Sequence, residues 1–598
     1  MGLYTTLPEN ITEVDVIIAR GGTAGCIVAA RLVEADPKLS ILVIEGGSNN
    51  DAPEIAFPAL CLANLMPGSK ANIFYQTKPE EELSGRQVIV PCGGVLGGGS
   101  STNLMMYSRA QRSEFDGWDV HGWSADDMVP FLKKIETFHN IDPTSVHGND
   151  GPIQVSSGTF TSSRIQDQFI SSAGKLGWPE IADLQALNGT TNVSRYLHPK
   201  LHGGQYSNLD VLVQNQVVKV LFEHKRAVGI EFAANALFQE EATQPSPSRT
   251  VKARKLVVLS CGAIGTPTVL ERSGVGSSAL LKQLSIPVIS DLPGVGREYE
   301  DHQLSIYPYH SNLNPEETVD AIFDGRRDIG ALIQKNDKIL GWNTMDVTCK
   351  LRPSESDITA LGPKFQQAWK RDFESVPDRP LGMIAPVAAY PGDPSTIPIP
   401  NQQYFSISTF SVYPYSRGHI HITSPTSLAP TNLDFVTGFF SDPDGIDIKT
   451  HLWLYKTQRE IVRRMPIYRG EVASGHPPFP AHSKARCTQL GPEDHWPAPD
   501  EVESIQYSAE DDEIIEQWLR KNVGTTWHSL GTCKMVSLGE EERGNAVVVD
   551  ANLSVYGVEG LKIADLSVVP RNVAANTCNT AMVVGEKAAD IIRRELGL

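Results

Sequence analysis

The chain has 598 residues, with 52 basic against 70 acidic side chains and a formal net charge of −18 at neutral pH. That length exceeds what one hydrophobic core organises, so two domains, or one domain with a large insertion, are expected. Nucleic-acid wrapping and adhesion to an anionic membrane are excluded, because both need a concentrated basic patch and no Lys/Arg cluster is present. Eight scattered cysteines without a C-x-x-C imply a reduced compartment and no metal site. No apolar run reaches the roughly 18 residues of a membrane span. The first strand starts too early for a signal peptide, so a cytoplasmic location is expected, and the sequons at Asn10, Asn188, Asn192 and Asn552 are read as unused.

The first element is "EVDVIIARGGTAGCIVAARLVE", residues 13–34, an apolar strand, a turn, and a helix opening at Thr23. A dinucleotide fingerprint G-x-G-x-x-G would need glycines at 20, 22 and 25; Gly22 and Gly25 are present, and position 20 is Arg20. Gly21, Gly22, Thr23, Ala24 and Gly25 are the candidate phosphate-binding turn. A side chain at position 20 carries a Cβ penalty and crowds the diphosphate, so weakened rather than abolished binding is expected. The second strand, "SILVIEGG", ends in Glu45, twenty residues past Gly25. A carboxylate there accepts from ribose hydroxyls and disfavours a 2′-phosphate, pointing to FAD or NAD rather than NADP. By itself Glu45 reads equally as a solvent-facing charge at a strand end; strand, turn, helix, strand and acid in order favour the cofactor.

A glycine-rich loop, "CGGVLGGGSSTNLMMYSR", follows at 92–109, and then a helix with Ser124 as N-cap and Asp127 at the capping-box position. Residues 156–214, rich in Gly, Asn and Ser, read as an excursion. Two alternating strands at 217–234 and a buried strand running into a glycine-bounded helix at 255–276 read as a return to the first domain. Proline-rich alternating strands such as "QYFSIST" and "GHIHITS" suggest a sheet domain over 306–500. The chain closes with strand "LKIAD" and helix "NTAMVVGEKAADIIRREL".

Four stretches in this order, "GGVLGGGSSTNLMMY", "GAIGTPTVLERSGVG", "LPGVGREYEDH" and "TTWHSLGTCKM" followed by "ADLSVVPRNVAANTCNTAMVVGEK", resemble the glucose-methanol-choline oxidoreductases, FAD-dependent alcohol oxidases and dehydrogenases. The resemblance spans nearly the whole chain and is nearest to the fungal methanol oxidase type. It implies an α/β plus α+β fold: a Rossmann-like FAD-binding domain from 1–155, 215–305 and 501–598, and a discontinuous substrate domain on an antiparallel sheet from 156–214 and 306–500. It implies His528 as catalytic base and Asn576 as its partner on the substrate oxygen, with Asn579 a nearby competitor. Gly98, Ser100, Asn103, Val217 and Asp565 match FAD-contacting positions, Val217 through its backbone at the adenine. A histidine replaces Thr102 in members that attach FAD covalently, so non-covalent FAD is implied here.

From the residues alone, His528 reads as a buried histidine beside Trp527, and Asn576 as a helix N-cap. The first signature departs from the family at Gly94 and Thr102, and set beside the methanol oxidase type the chain is expected to be shortened at 190–213 and to lack that type's C-terminal extension. Neither methanol specificity nor octameric assembly therefore follows, and the oligomeric state is open. There is no P-loop, no H-E-x-x-H and no G-x-S-x-G, the nearest approach to the last being "WHSLG" with Trp527 in place of the first glycine. Two readings remain: an enzyme oxidising a primary alcohol, of larger or aromatic type from specialised metabolism, with oxygen or another acceptor; and a degenerate, non-catalytic member with impaired FAD binding.

Overall fold

The computed structural model of the protein describes residues 2–139, 146–187, 193–195, 198–201, 208–239, 247–390, 392, 402–491, 494–536 and 547–598. The sequons at 188 and 192 and most of the stretch 190–207 lie outside the described residues.

An eight-stranded sheet carries the dinucleotide turn. Its strands β1 (Gly2–Tyr4), β2 (Glu13–Ala19), β3 (Ile41–Ile44), β4 (Leu209–Leu212), β5 (Asn215–Glu223), β6 (Arg226–Ala234) and β7 (Arg249–Leu259) lie in the order β1-β4-β3-β2-β7-β6-β5, with Leu561–Ile563 pairing β7. The β1-β4-β3-β2-β7 run is parallel, and β6 and β5 add antiparallel strands at one edge. Parallel strands are covered on both faces and read as continuous apolar runs. Accordingly Val16, Ile17, Ile18 and Ala19 of β2 and the whole of β3 are buried.

Helix α1 (Thr23–Ala35) follows β2, and its N-cap Gly22 is extended with no side-chain cap, so the first-turn N–H groups are left for other acceptors. Helix α2 (Ala125–Ile135) has the expected capping box: Ser124 accepts from the Asp127 N–H, and Asp127 accepts from the Ser124 N–H at 3.0 Å. Helix α3 (Gly262–Arg272) follows β7.

The second sheet has seven strands. Strands β8 (Gln303–Ser311), β9 (Val347–Leu351), β10 (Gly382–Val387), β11 (Tyr404–Ser411) and β12 (Tyr468–Glu471) form the path β12-β8-β11-β10-β9, extended by Val193–Arg195 on β9 and by Gly524–Thr525 on β8. All pairings are antiparallel. The long helix α4 (Ile446–Arg463) packs on β11, and the last helix α5 (Cys578–Leu596) packs on α1.

The sheets depart from the expected division in two places. Residues 209–212, expected in the excursion, form β4 inside the parallel sheet, where Leu209, Val211 and Leu212 are buried beside β3. Residues 524–525, expected with the cofactor part, pair with β8 of the second sheet. In both cases a short apolar or turn-flanked segment is placed by the strand beside it, and its local pattern does not specify which sheet that is.

Candidate active site

The site is a cavity of about 460 Å³ at the C-terminal ends of the parallel strands, between the two sheets. Open α/β sheets bind ligands at this end of their strands. Arg20, Gly22, Thr23, Ala24 and Glu45 line one part of it, with Gly98, which lies against Gly22, and with Asn103, Gly262 and Asp565; His528 and Asn576 line another.

At the turn, Arg20 is held at φ +74°, a left-handed conformation in which a Cβ is strained. Gly25 allows the tight passage, because a Cβ there would come within 2.5 Å of the Arg20 carbonyl oxygen. The Arg20 guanidinium lies 4.0 Å from Glu45 and borders both the main cavity and a smaller one of about 60 Å³. Glu45 is nearly fully buried and accepts from the N–H groups of Gly21 (2.9 Å) and Gly47 (2.8 Å). Burial raises its pKa, against the Arg20 charge and these backbone donors. Asp565 accepts from the Gly262 N–H at 3.0 Å and from Thr266 Oγ1 at 2.6 Å, tying the last strand to the start of α3. Burial raises its pKa also.

The other part is assembled by a ladder between two distant stretches. Residues 299–304 run antiparallel to 524–530, with Gln303 opposite Thr525 and Glu300 exchanging backbone hydrogen bonds with Leu530. Asp301 fastens it: its carboxylate accepts from the His528 N–H at 3.0 Å, from Tyr299 at 3.0 Å, and from the Thr525 hydroxyl. His528 is buried among Phe410 and His302, and its Nδ1 is 2.9 Å from His302 Nδ1. Burial first, and the neighbouring His302 second, push the His528 pKa well below the usual imidazole value.

Asn576 is reached from a third stretch. Ser108 Oγ donates to Asn576 Oδ1 at 2.9 Å and accepts from the Asn576 N–H at 2.6 Å. Asn576 does not cap α5, since the N-cap is Thr577 and its side chain makes no capping bond. Asn579 is not on the cavity; it donates to the Tyr107 hydroxyl at 2.8 Å.

Of the residues expected from sequence, Gly22, Thr23, Ala24, Glu45, Gly98, Asn103, Asp565, His528 and Asn576 line the cavity. Gly21, Gly25 and Ser100 do not; they shape the turn and loop behind it, Ser100 through a bond from its N–H to Thr23 Oγ1 at 3.1 Å. Val217 borders the smaller cavity instead. Sequence reasoning assigned no role to Ser108 or His302, although His302 closes the quoted stretch "LPGVGREYEDH". Ser108 lies in the quoted glycine-rich loop, but nothing local marks it as the partner of a residue more than 400 positions away.

FAD fits this donor set. Gly99 and Gly262 line the cavity where an added Cβ would meet nothing within 4 Å, and at Gly22 it would meet only the Ser260 carbonyl, at 3.6 Å. Glycines that would project into open cavity space, beside the uncapped N-terminus of α1, form a cradle for a diphosphate. The volume is within the range of about 300–1,000 Å³ usual for ligand sites.

The GMC oxidoreductase N-terminal profile matches residues 14–304 and its C-terminal profile residues 414–585, together well over half of the chain. The chain belongs to the GMC oxidoreductase family. An alcohol oxidase of Candida boidinii is 35% identical over 650 residues, covering 99% of this chain and 96% of that one. Formate oxidase of Aspergillus oryzae superposes with a TM-score of 0.80 at 20% identity, covering 98% of each chain. A fungal aryl-alcohol oxidase superposes with a TM-score of 0.74 at 23% identity, covering 98% of this chain and 100% of the other. The family cofactor is FAD, as the sequence resemblance implies, and this chain is an FAD-dependent oxidoreductase. No described helix is long and apolar enough to cross a membrane.

Proposed function

We propose that the protein oxidises a primary alcohol to an aldehyde, with His528 as the base and Asn576 as the group that orients the substrate oxygen. The observation that carries this reading is one cavity with a glycine-lined turn and Glu45 in one part and His528 and Asn576 in another. Gly22, Thr23, Ala24, Glu45, Gly98, Asn103 and Asp565 would hold FAD non-covalently, with Val217 at the smaller cavity. Bound FAD supplies the hydride acceptor for the alcohol carbon. The division into a cofactor part and a substrate part on the antiparallel sheet belongs to the same reading.

His528 suits the removal of the hydroxyl proton because burial holds the imidazole neutral. Ser108 holds Oδ1 of Asn576 and Met106 Sδ accepts from its NH₂ at 3.8 Å, an orientation in which the amide would present its NH₂ to the alcohol oxygen. Around this part, Leu304, Ile306, Met345, Val387, Phe410 and Trp527 make an apolar wall that excludes water and suits a larger or aromatic alcohol. A substrate from specialised metabolism fits that preference, and oxygen or another acceptor would remove the electrons.

The test is anaerobic reduction of the purified yellow protein by a panel of aliphatic and aryl alcohols, with and without His528→Ala. The variant is expected to slow reduction by about 10²–10⁴-fold. An unchanged rate removes His528 from the base role, and a protein that acquires no flavin spectrum when FAD is added returns the non-catalytic reading. Admitting oxygen to the reduced protein separates oxidase from dehydrogenase.

A further inference from the structure

We propose that His302 is a positioning residue that holds His528 as its Nδ1–H tautomer, leaving Nε2 of His528 as the bare nitrogen that receives the substrate proton. This rests on the reading of His528 as base and names what keeps it competent.

The two rings meet Nδ1 to Nδ1 at 2.9 Å and are nearly perpendicular, at 86°. A single proton lies between two such nitrogens, so one ring donates and the other accepts. His302 is fully buried, stacked on Phe410, and does not line the cavity, whereas His528 does. Burial holds the His302 pKa down, to about 4, so the pair is neutral and has two arrangements. In one, His302 donates, and the proton of His528 sits on Nε2, which is then useless as a base. In the other, His528 donates from Nδ1 and its Nε2 is bare.

The placement of the two rings chooses between them: His528 lines the cavity and His302 does not, so a base at His528 needs its Nε2 bare and its proton on Nδ1, whose partner is His302 Nδ1. The Nε2 of His302 is buried without a hydrogen-bond partner of normal geometry. The carbonyls of Val573 and Val412, the Asn572 side chain and the charge of Glu300 border the ring, and the Asn572 Nδ2 is itself buried without a partner. With the His302 proton on Nε2, its Nδ1 must accept, and the proton between the rings belongs to His528. The backbone fixes this contact independently, because Thr526 donates to the His302 carbonyl through both its N–H (3.1 Å) and its hydroxyl (2.7 Å), and Asp301 holds the His528 N–H. Asp301 and Glu300 are the charged groups facing the pair, and Asp301 bonds the backbone of His528 rather than its ring. No carboxylate on the imidazole competes for the orienting role among the hydrogen bonds of the described residues.

The experiment is ¹⁵N NMR of the imidazole nitrogens in the full-length, FAD-loaded protein, with His528→Gln and His302→Gln samples to assign the two rings. His528 is expected to show a protonated Nδ1 and an unprotonated, imine-type Nε2. The reverse pattern overturns the proposal, and this readout needs no turnover. In kinetics, His302→Leu removes the acceptor and should slow anaerobic flavin reduction by about 10²-fold with KM little changed. His302→Gln, whose amide oxygen can still accept from Nδ1, should recover most of that rate. Wild-type reduction in His302→Leu, with His528→Ala slowed by about 10²–10⁴-fold, removes this inference alone; full reduction in His528→Ala removes the base assignment beneath it. Should His302→Leu not fold, the tautomer measured in the unaltered protein decides.

Discussion

At the scale of single residues, one cation and one imidazole carry the specific character of this site. Arg20 combines a left-handed backbone with a guanidinium that borders both cavities beside Glu45. Strain of this kind costs about 1–3 kcal/mol. Arg20→Gly should therefore bind FAD more tightly, by up to about that amount, in a titration followed by flavin fluorescence. Arg20→Ala keeps the Cβ and the strain but removes the guanidinium, so an equal gain in both variants would assign the cost to crowding. No gain in either would show that the turn accommodates arginine. For His528 the sign of the shift gives a second outcome. Burial lowers its pKa, so the imidazole stays neutral to lower pH than an ordinary one, and a base at this position would persist with it. The rate of flavin reduction should stay level as pH falls through 6.5, the usual imidazole value, and an acid limb at or above that value would contradict the burial argument.

At the scale of elements, α5 links the two parts of the cavity. Its N-terminus follows Asn576, and its Gly585 lies where an added Cβ would come 2.9 Å from the Ala24 Cα of α1. The close approach of these helices depends on that missing side chain. Gly585→Leu should push α1 outward, lower the urea midpoint and weaken FAD binding together, since overpacking of this kind costs about 1–3 kcal/mol. Loss of stability with unchanged FAD affinity would show that the turn does not depend on this contact. Much at this scale was legible beforehand. The α2 capping box, the hairpin at 217–234 and the strand and helix at 255–276 all announce themselves by local pattern and occur as expected. The end of the 156–214 stretch was not legible, because β4 takes its place from β1 and β3 on either side, and both are remote in sequence.

At the scale of the whole molecule, the site exists only where several separate stretches converge: the turn after β2, the loop at 98–106, the start of α3, the segment at 526–529, and residues 565–578. A ligand that touches all of them binds only the folded chain and so stabilises it. FAD at about 100 times its dissociation constant should add about 2.7 kcal/mol to the unfolding free energy, read as a raised thermal midpoint. Riboflavin, which lacks the diphosphate and adenosine, should raise it less. An unmoved midpoint with saturating FAD would mean that these stretches do not close on the cofactor.

The sequence alone determined the family and named the nucleotide turn with its acid and the pair His528 and Asn576 as candidates, because each is carried by a contiguous motif whose chemistry depends on neighbours in the chain. It also exposed Arg20 as a departure, since a fingerprint glycine is required by local backbone geometry. Only the tertiary structure decided where the Arg20 guanidinium points, that Asn576 rather than Asn579 meets the cavity, and that His302 and Ser108 stand behind the two catalytic candidates. Those contacts join residues 226 and 468 positions apart. No local propensity encodes such pairs; they arise when the ladder between 299–304 and 524–530 and the packing of the two sheets bring the rings and the amide within hydrogen-bond reach.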